Sequence, residues 1–359
     1  MRANADYDIS PSHNIGINYM LNRTGNGRSD EVDESFEPTR DALTKMIIGI
    51  NYNQRFFNGR MENLFFVKEY LNIARVEQHD LSNITGAGEV ESHSTKSYPG
   101  GGAALKFTVF EPLSIKASYE HSVRLPLARE LLGNGTTIYP NLRLKPESSE
   151  NINLGLYGTV RMGGQHLLSY NLNGFLRYVH DFIQASVSEK EGTMQYENIP
   201  AIHIKGADAE LRYQWRNSLQ ASFNISYNDA RDQRKFKTDG KPSATYLNRV
   251  PNRPWFYCNA GISYTFDNLI WRGDALRLEY DWRWVHWFYL SWEAYGAAES
   301  KSRIPEQNVS NASITYSLQN RRYSLSLECD NLFDERVYDN YMLQKPGRAF
   351  FAKLRIFIY

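Results

Sequence analysis

The feature that most constrains this chain is a strict two-residue alternation of apolar and polar side chains. Over residues 276–284, Leu276, Leu278, Tyr280, Trp282 and Trp284 alternate with Arg277, Glu279, Asp281 and Arg283. Successive side chains of a strand point to opposite faces, so this segment places charges on one side and an apolar stripe on the other. A charge at every second position requires water on its side. The same period recurs at 219–228, where Leu219, Ala221, Phe223, Ile225 and Tyr227 oppose Gln220, Ser222, Asn224, Ser226 and Asn228. It recurs again at 323–329, where Tyr323, Leu325, Leu327 and Cys329 oppose Ser324, Ser326 and Glu328.

The connections between these stretches alternate as well. Asn58-Gly59, Glu111-Pro112, Gly163-Gly164 and Asn217-Ser218 are short turn signals. Between them lie long loop segments, polar at 22–41 and 73–99, basic at 230–252, and further ones at 124–150 and 179–204. We count about fourteen strands of roughly nine to fourteen residues, close to the length that crosses a bilayer at a tilt. The pattern predicts an all-β, antiparallel up-and-down transmembrane β-barrel, with short periplasmic turns and long external loops. In the final stretch Phe350, Ala352, Leu354, Ile356 and Ile358 share one face, while Phe357 and Tyr359 fall on the other. Closure into a barrel removes the open apolar edge that such a strand would otherwise present.

Composition excludes several classes. Among 359 residues, 41 Lys and Arg against 40 Asp and Glu leave a formal charge of +1, which does not suit nucleic acid as a partner. Aromatics make up 14% of the chain and include 24 Tyr and 7 Trp, as aromatic girdles at a membrane interface require. An aromatic-rich soluble carbohydrate-binding β protein, with Trp282, Trp284, Trp287 and Trp292 as stacking platforms, has the same composition. No run of about eighteen apolar residues provides a transmembrane helix. The first residues, Met-Arg-Ala-Asn-Ala-Asp-Tyr-Asp, carry no secretion signal, so Met1 is expected to lie inside a longer protein. Cys258 and Cys329 sit at apolar-face positions, as packing residues do.

Two blocks carry a family resemblance. The stretch Asp330-Asn331-Leu332-Phe333-Asp334, the Pro346-Gly347-Arg348 turn and the aromatic final strand resemble the closing end of TonB-dependent outer-membrane receptors. Upstream, Arg124-Leu125-Pro126, Ala128-Arg129-Glu130-Leu131, Pro140-Asn141-Leu142 and Lys145-Pro146-Glu147 are similar to the arginine-proline loop and the segment that follows it in the same barrels. The resemblance covers the chain from about Ser10 onward. It implies an outer-membrane location in a Gram-negative bacterium, contact with outer-membrane lipid and lipopolysaccharide, and a last strand (Phe350, Leu354, Ile356, Phe357, Ile358, Tyr359) read by the barrel-assembly machinery. Receptors of this kind carry a plug domain and a TonB-engaging segment ahead of the barrel, and their barrels have twenty-two strands. They import a ferric siderophore, haem, cobalamin or an oligosaccharide. Neither plug nor coupling segment is recognisable in residues 1–359, so the chain is expected to be a C-terminal barrel portion, without transport activity alone and reaching TonB only through the N-terminal region it lacks.

No catalytic constellation stands out, and no enzyme, cofactor or metal site is expected. The eight His lack helical metal-ligand spacing. His79 and His93 share a segment with Asp80, Glu89 and Glu91, as a metal site or a solvated loop. Arg231, Arg234, Lys235, Lys237 and Lys241 form a basic run, as a solvated loop or a contact to lipopolysaccharide. Arg124, Arg129 and Glu130, beside Asn134 and Tyr139, either face the pore and hold a ligand or plug by charge-assisted bonds, or order their own long loop. A passive fourteen-stranded channel is the alternative for the chain as a whole, and the ligand is not legible.

Overall fold

A computed structural model describes residues 1–28, 39–75, 93–134, 137–188, 193–237, 239–295, 302–340 and 342–358. The elements are β1 (Arg2–Ser10), β2 (His13–Arg28), β3 (Thr39–Phe56), β4 (Met61–Arg75), β5 (His93–Phe110), β6 (Leu113–Arg124), α1 (Ala128–Leu132), β7 (Ile138–Tyr139), β8 (Glu147–Met162), β9 (His166–Ser188) and β10 (Thr193–Trp215). They continue with β11 (Leu219–Asp232), β12 (Phe256–Asp267), β13 (Ala275–Val285), β14 (Phe288–Tyr289), β15 (Arg303–Ile304), β16 (Gln307–Leu318), β17 (Tyr323–Asp330) and β18 (Ala349–Ile356). In the main sheet each long strand pairs with the next in sequence, from β1 to β18, and short β7 joins from the side onto β10. β14 and β15 form a separate two-stranded sheet. No described helix is long and apolar enough to cross a membrane.

The chain divides into two compact units. The first comprises Met1–Phe107, Ala117–Ile152 and Arg177–His203, and the second Thr108–Lys116, Asn153–Leu176 and Ile204–Tyr359.

In the second unit the register aligns the apolar positions into rows across the strands. Leu278 faces Ile314, Ile314 faces Leu327, and Leu327 faces Ala352. These residues remain exposed, Ile314 at 51% and Leu327 at 55%. An exposed, contiguous apolar face of this extent calls for a covering apolar phase. On the other face Arg277 bonds Glu279 and Lys353 bonds Glu328 at 2.5 Å. Trp282 and Trp284 donate their indole N–H groups to Asn308 and Glu306, both at 2.6 Å, which leaves each ring an apolar body with a satisfied polar tip. Cys258 is buried and Cys329 half-buried, and both are free thiols.

In the first unit the same logic gives an exposed row Ile17, Ile50 and Val67, with Asn51 and Phe66 on the opposite face.

Three features depart from the sequence reading. β1 lies where no strand is marked, because Arg2, Asn4, Asp6 and Asp8 are poor strand formers. It forms because β2 offers it an unpaired edge, in register from Arg2 opposite Met20 to Asp8 opposite Asn14. Second, parts of the segments read as long loops are strand. The β2 and β3 pairing runs out to Arg28 opposite Thr39, β5 begins at His93, and β9 and β10 are 23 residues each where a loop over 179–204 is expected. A tilted crossing uses only about 9–11 residues, and beyond it paired backbone satisfies its own N–H and C=O groups whatever the side-chain pattern. Third, β18 ends at Ile356, so Phe357 and Ile358 follow the strand, and Tyr359 lies outside the described residues. His79, Asp80, Glu89 and Glu91 also lie outside them.

Candidate functional site

The segment 125–146 folds onto the β3 face that carries Leu43 and Lys45, and it does so through a small apolar cluster and a ring of fixed polar contacts. Leu131, Leu132 and Leu144 bury themselves with Leu43 and Ile183. A helix as short as α1, five residues, has no stability of its own, so this burial holds it. Lys45 extends along the same face and donates to the Leu125 carbonyl at 3.2 Å.

Arg124 supplies the electrostatic brace. Its Nε donates to Glu147 at 2.7 Å and its Nη1 to both oxygens of Glu130 at 3.1 Å. Glu130, only 5% exposed, also accepts the Leu127 N–H at 2.7 Å, tying the chain ahead of α1 to its first turn. Glu147 accepts a further N–H from Ile183 at 3.2 Å. Both carboxylates thus have their charge and their lone pairs engaged, as buried ions require.

Past α1 the chain reverses at Gly133, whose φ of +69° is left-handed and whose added Cβ would strike the Ile138 carbonyl. Asn134 Oδ1 accepts the N–H groups of Thr137 and Ile138 at 3.0 and 2.7 Å, a side-chain turn. β7 then runs parallel to β10, Ile138 opposite Met194 and Tyr139 opposite Gln195. Asn141 donates to the Tyr196 carbonyl at 2.8 Å, and Asn198 brackets Lys145 through its N–H and its carbonyl at 2.9 and 3.0 Å.

Of the five residues singled out from sequence, Arg124, Glu130 and Asn134 are engaged in shaping the segment. Arg129 and Tyr139 are exposed on it. The members that sequence reasoning passed over are Lys45, Asn141, Glu147 and Asn198. Asn141 and Glu147 sit inside the family-like block, which was the available signal, while nothing in the sequence distinguishes Lys45 or Asn198 from other polar strand residues. In the basic run, Arg234 is held bidentately by Asp232, a carboxylate that also accepts the Thr245 hydroxyl at 2.6 Å, and Lys241 pairs with Asp239 at 3.4 Å. Among the described residues no group of three His, Cys, Asp or Glu is placed to hold a metal ion.

An antiparallel sheet with an exposed apolar face, a charged opposite face and a long segment braced on one side defines the class of membrane-spanning barrel walls. Residues 3–332 match the family described as TonB dependent receptor-like, beta-barrel, and the chain belongs to that family. Among solved structures it is similar to the copper transporter OprC, at 16% identity and a TM-score of 0.71 over 98% of this chain and 55% of that one. It is similar also to BauA, the ferric preacinetobactin receptor from Acinetobacter baumannii, at 12% identity and a TM-score of 0.68 over 98% and 52%. The FrpB iron transporter from Neisseria meningitidis (F3-3 variant) aligns at 15% identity and a TM-score of 0.66 over 96% and 52%. The chain therefore spans about half the length of these structures. No curated protein matches it.

Proposed function

We propose that this chain is the C-terminal part of the barrel of a Gram-negative outer-membrane receptor that imports a scarce small ligand, a ferric siderophore, haem, cobalamin or an oligosaccharide, with energy delivered through TonB. Family membership and the half-length coverage of the neighbouring structures support this reading. In it, the charged face lines water and the apolar face meets lipid, and the final strand is what the barrel-assembly machinery reads. The single observation that carries a functional role for segment 125–146 is the brace of Arg124 on Glu130 and Glu147. It makes the segment a fixed platform, which presents Arg129 and Tyr139 toward a ligand or a plug domain.

The chain by itself does not transport in this reading, because energy coupling needs a plug to move. The test is uptake of radiolabelled ferric siderophores under iron limitation, in cells with and without TonB, for the chain alone and for the chain joined to a plug-bearing N-terminal region. TonB-dependent uptake only in the joined form is expected. Ion conductance by the chain alone in a planar bilayer, with no uptake in either form, would favour a passive channel instead.

A further inference from the structure

We propose that the turn between β12 and β13, in the second unit, is a preformed anchor for the phospholipid interface on the periplasmic side, with Leu269, Ile270 and Trp271 entering the lipid. It rests on the outer-membrane reading above, in which the short turns face the periplasm. The turn exposes three consecutive large apolar side chains, Leu269 at 50% and Ile270 and Trp271 at 62% each. In water they would leave an uncovered apolar patch at the tip of a turn. The patch continues the apolar face of the sheet. Phe266, exposed near the end of β12, faces Leu276, and Leu276 faces Tyr316. Tyr264 lies on the same face with its ring 4.5 Å from that of Phe266. Aromatic rows of this kind sit where hydrocarbon gives way to headgroups. The headgroup layer is about 5–8 Å thick on each side, and the chain reverses between Asn268 and Asp274, so the tip stays at that level.

The backbone of the turn is closed in the way that a lipid surround requires. Asp274, 3% exposed, accepts the N–H groups of Leu269, Ile270 and Trp271 at 2.7, 2.9 and 3.0 Å, and its carboxylate also accepts the Tyr316 hydroxyl at 2.7 Å. The donors of the three residues that carry the apolar side chains are therefore all satisfied from within. Asn268 Oδ1 accepts the Gly273 N–H at 2.7 Å, and the Asn268 N–H donates to the Asp274 carbonyl at 2.9 Å. The Gly273 carbonyl accepts the Asn320 N–H at 2.8 Å from the turn between β16 and β17. An unsatisfied N–H or C=O costs several kcal/mol in a medium that cannot bond it, so a turn closed like this can leave water at little cost.

Charge at the rim fits the same occupant. Arg272, exposed, follows Trp271 directly, and Arg321, also exposed, belongs to the turn that Asn320 ties to Gly273. Guanidiniums beside an apolar tip match the order of a phospholipid surface, phosphate outside and acyl chain inside.

The test uses the folded full chain in nanodiscs of phosphatidylethanolamine and phosphatidylglycerol, with part of the lipid brominated on its acyl chains, either near the glycerol or near the chain end. Trp271 is read as the difference in emission between the parent and Trp271→Phe. That difference should lie to the blue, lose more intensity to bromine near the glycerol than to bromine near the chain end, and lose little to aqueous iodide. Strong quenching by iodide with none by bromolipid would overturn the assignment and leave a periplasmic protein as the occupant of the turn. Asp274→Ala, compared with its own Trp271→Phe partner, should move the Trp271 emission to the red and open it to iodide, and emission identical to the parent's would overturn the role of the closed backbone. Ile270→Ser leaves every bond of the turn in place and should weaken the bromolipid quenching, whose persistence at the parent's level would overturn the three-residue anchor. Six of the seven Trp remain in Trp271→Phe, among them Trp282 and Trp284 on the apolar face. No response of that remaining emission to bromolipid would overturn the membrane reading and the anchor with it, whereas quenching there with none at Trp271 would overturn the anchor alone.

Discussion

One guanidinium nitrogen of Arg124 donates to both carboxylate oxygens of Glu130, each at 3.1 Å, across the turn that leads from β6 into α1. Glu130 is buried and Arg124 is not fully so, with 41% of its side chain exposed. The pair is therefore a hinge pin with one end in water. Its strength is set by what happens to the carboxylate when the cation is removed.

Arg124→Gln leaves Glu130 and Glu147 without the guanidinium that bonds both, with Lys45 as the cation still near Glu130. A fully buried pair would lose roughly 3–5 kcal/mol on such a change, and solvent access to Arg124 reduces this to about 1–3 kcal/mol. The loss should appear locally, as faster hydrogen exchange at the N–H groups of Leu127, Ile138 and Ile183, while the strands keep their protection. Unchanged exchange at these amides would mean that the apolar cluster alone holds the segment.

Leu132→Ala opens a cavity in that cluster and should destabilise the segment by about 2–5 kcal/mol. Limited proteolysis within 125–146 is the measurement. The variant is expected to be cut faster by a factor that tracks this loss, and Arg129→Ala on the exposed side of α1 is expected to be cut at the original rate.

The turn between β12 and β13 carries a pH-dependent contribution. Burial by itself would raise the Asp274 carboxyl, but the Tyr316 hydroxyl at 2.7 Å and the N–H groups of Trp271, Ile270 and Leu269 outweigh it and hold the group below the usual carboxylate range. A depressed folded-state pKa gives stability that is fully present above the unfolded value, near 4, and lost as pH falls through the lower folded value. Urea unfolding followed from pH 7 down to pH 2 should therefore show a decline in the acid range, and Asp274→Asn should show a smaller decline from a lower starting stability.

Ile314 and Thr315 are adjacent on β16 and point to opposite faces. Ile314 is 51% exposed on the apolar face, and the Thr315 hydroxyl meets Ser326 at 2.8 Å on the polar one. Ile314→Arg should cost about 2–4 kcal/mol on insertion into a bilayer, the range for a cation on the lipid face near the midplane. Thr315→Arg should insert nearly as well as the parent. Heat-modifiable gel mobility after folding into liposomes reads the difference, and equal yields would remove the assignment of lipid to the apolar face.

The two-residue period was enough to place most long strands, their faces and the short turns between them, because alternation is imposed by one apolar and one aqueous surround. It was silent wherever the surround is the same on both sides. In the outer halves of β9 and β10 the alternation is lost, with the adjacent Phe182 and Ile183 both buried and Ile199 and Ile202 buried as well, and β1 carries Asp, Asn and Arg, so their strand character is set by the neighbouring strand's N–H and C=O groups. In the candidate site, Arg124, Arg129, Glu130, Asn134 and Tyr139 could be singled out because they crowd into one family-like block. What each does there was not legible. Glu147 meets Arg124 only because β6 and β8 are neighbours in the sheet, and Lys45 meets the Leu125 carbonyl across 80 residues of chain.

By itself, then, the sequence determined the fold class, the faces of most strands and the family block, all of which depend on local order and period. The tertiary structure alone decided how far the strands run, that Arg124 is closed onto two carboxylates, and that Asp229 holds Arg231 and Arg249 by their Nε groups. Strand register is a long-range quantity, and a polar side chain acquires its role from the partner that register brings within bonding distance.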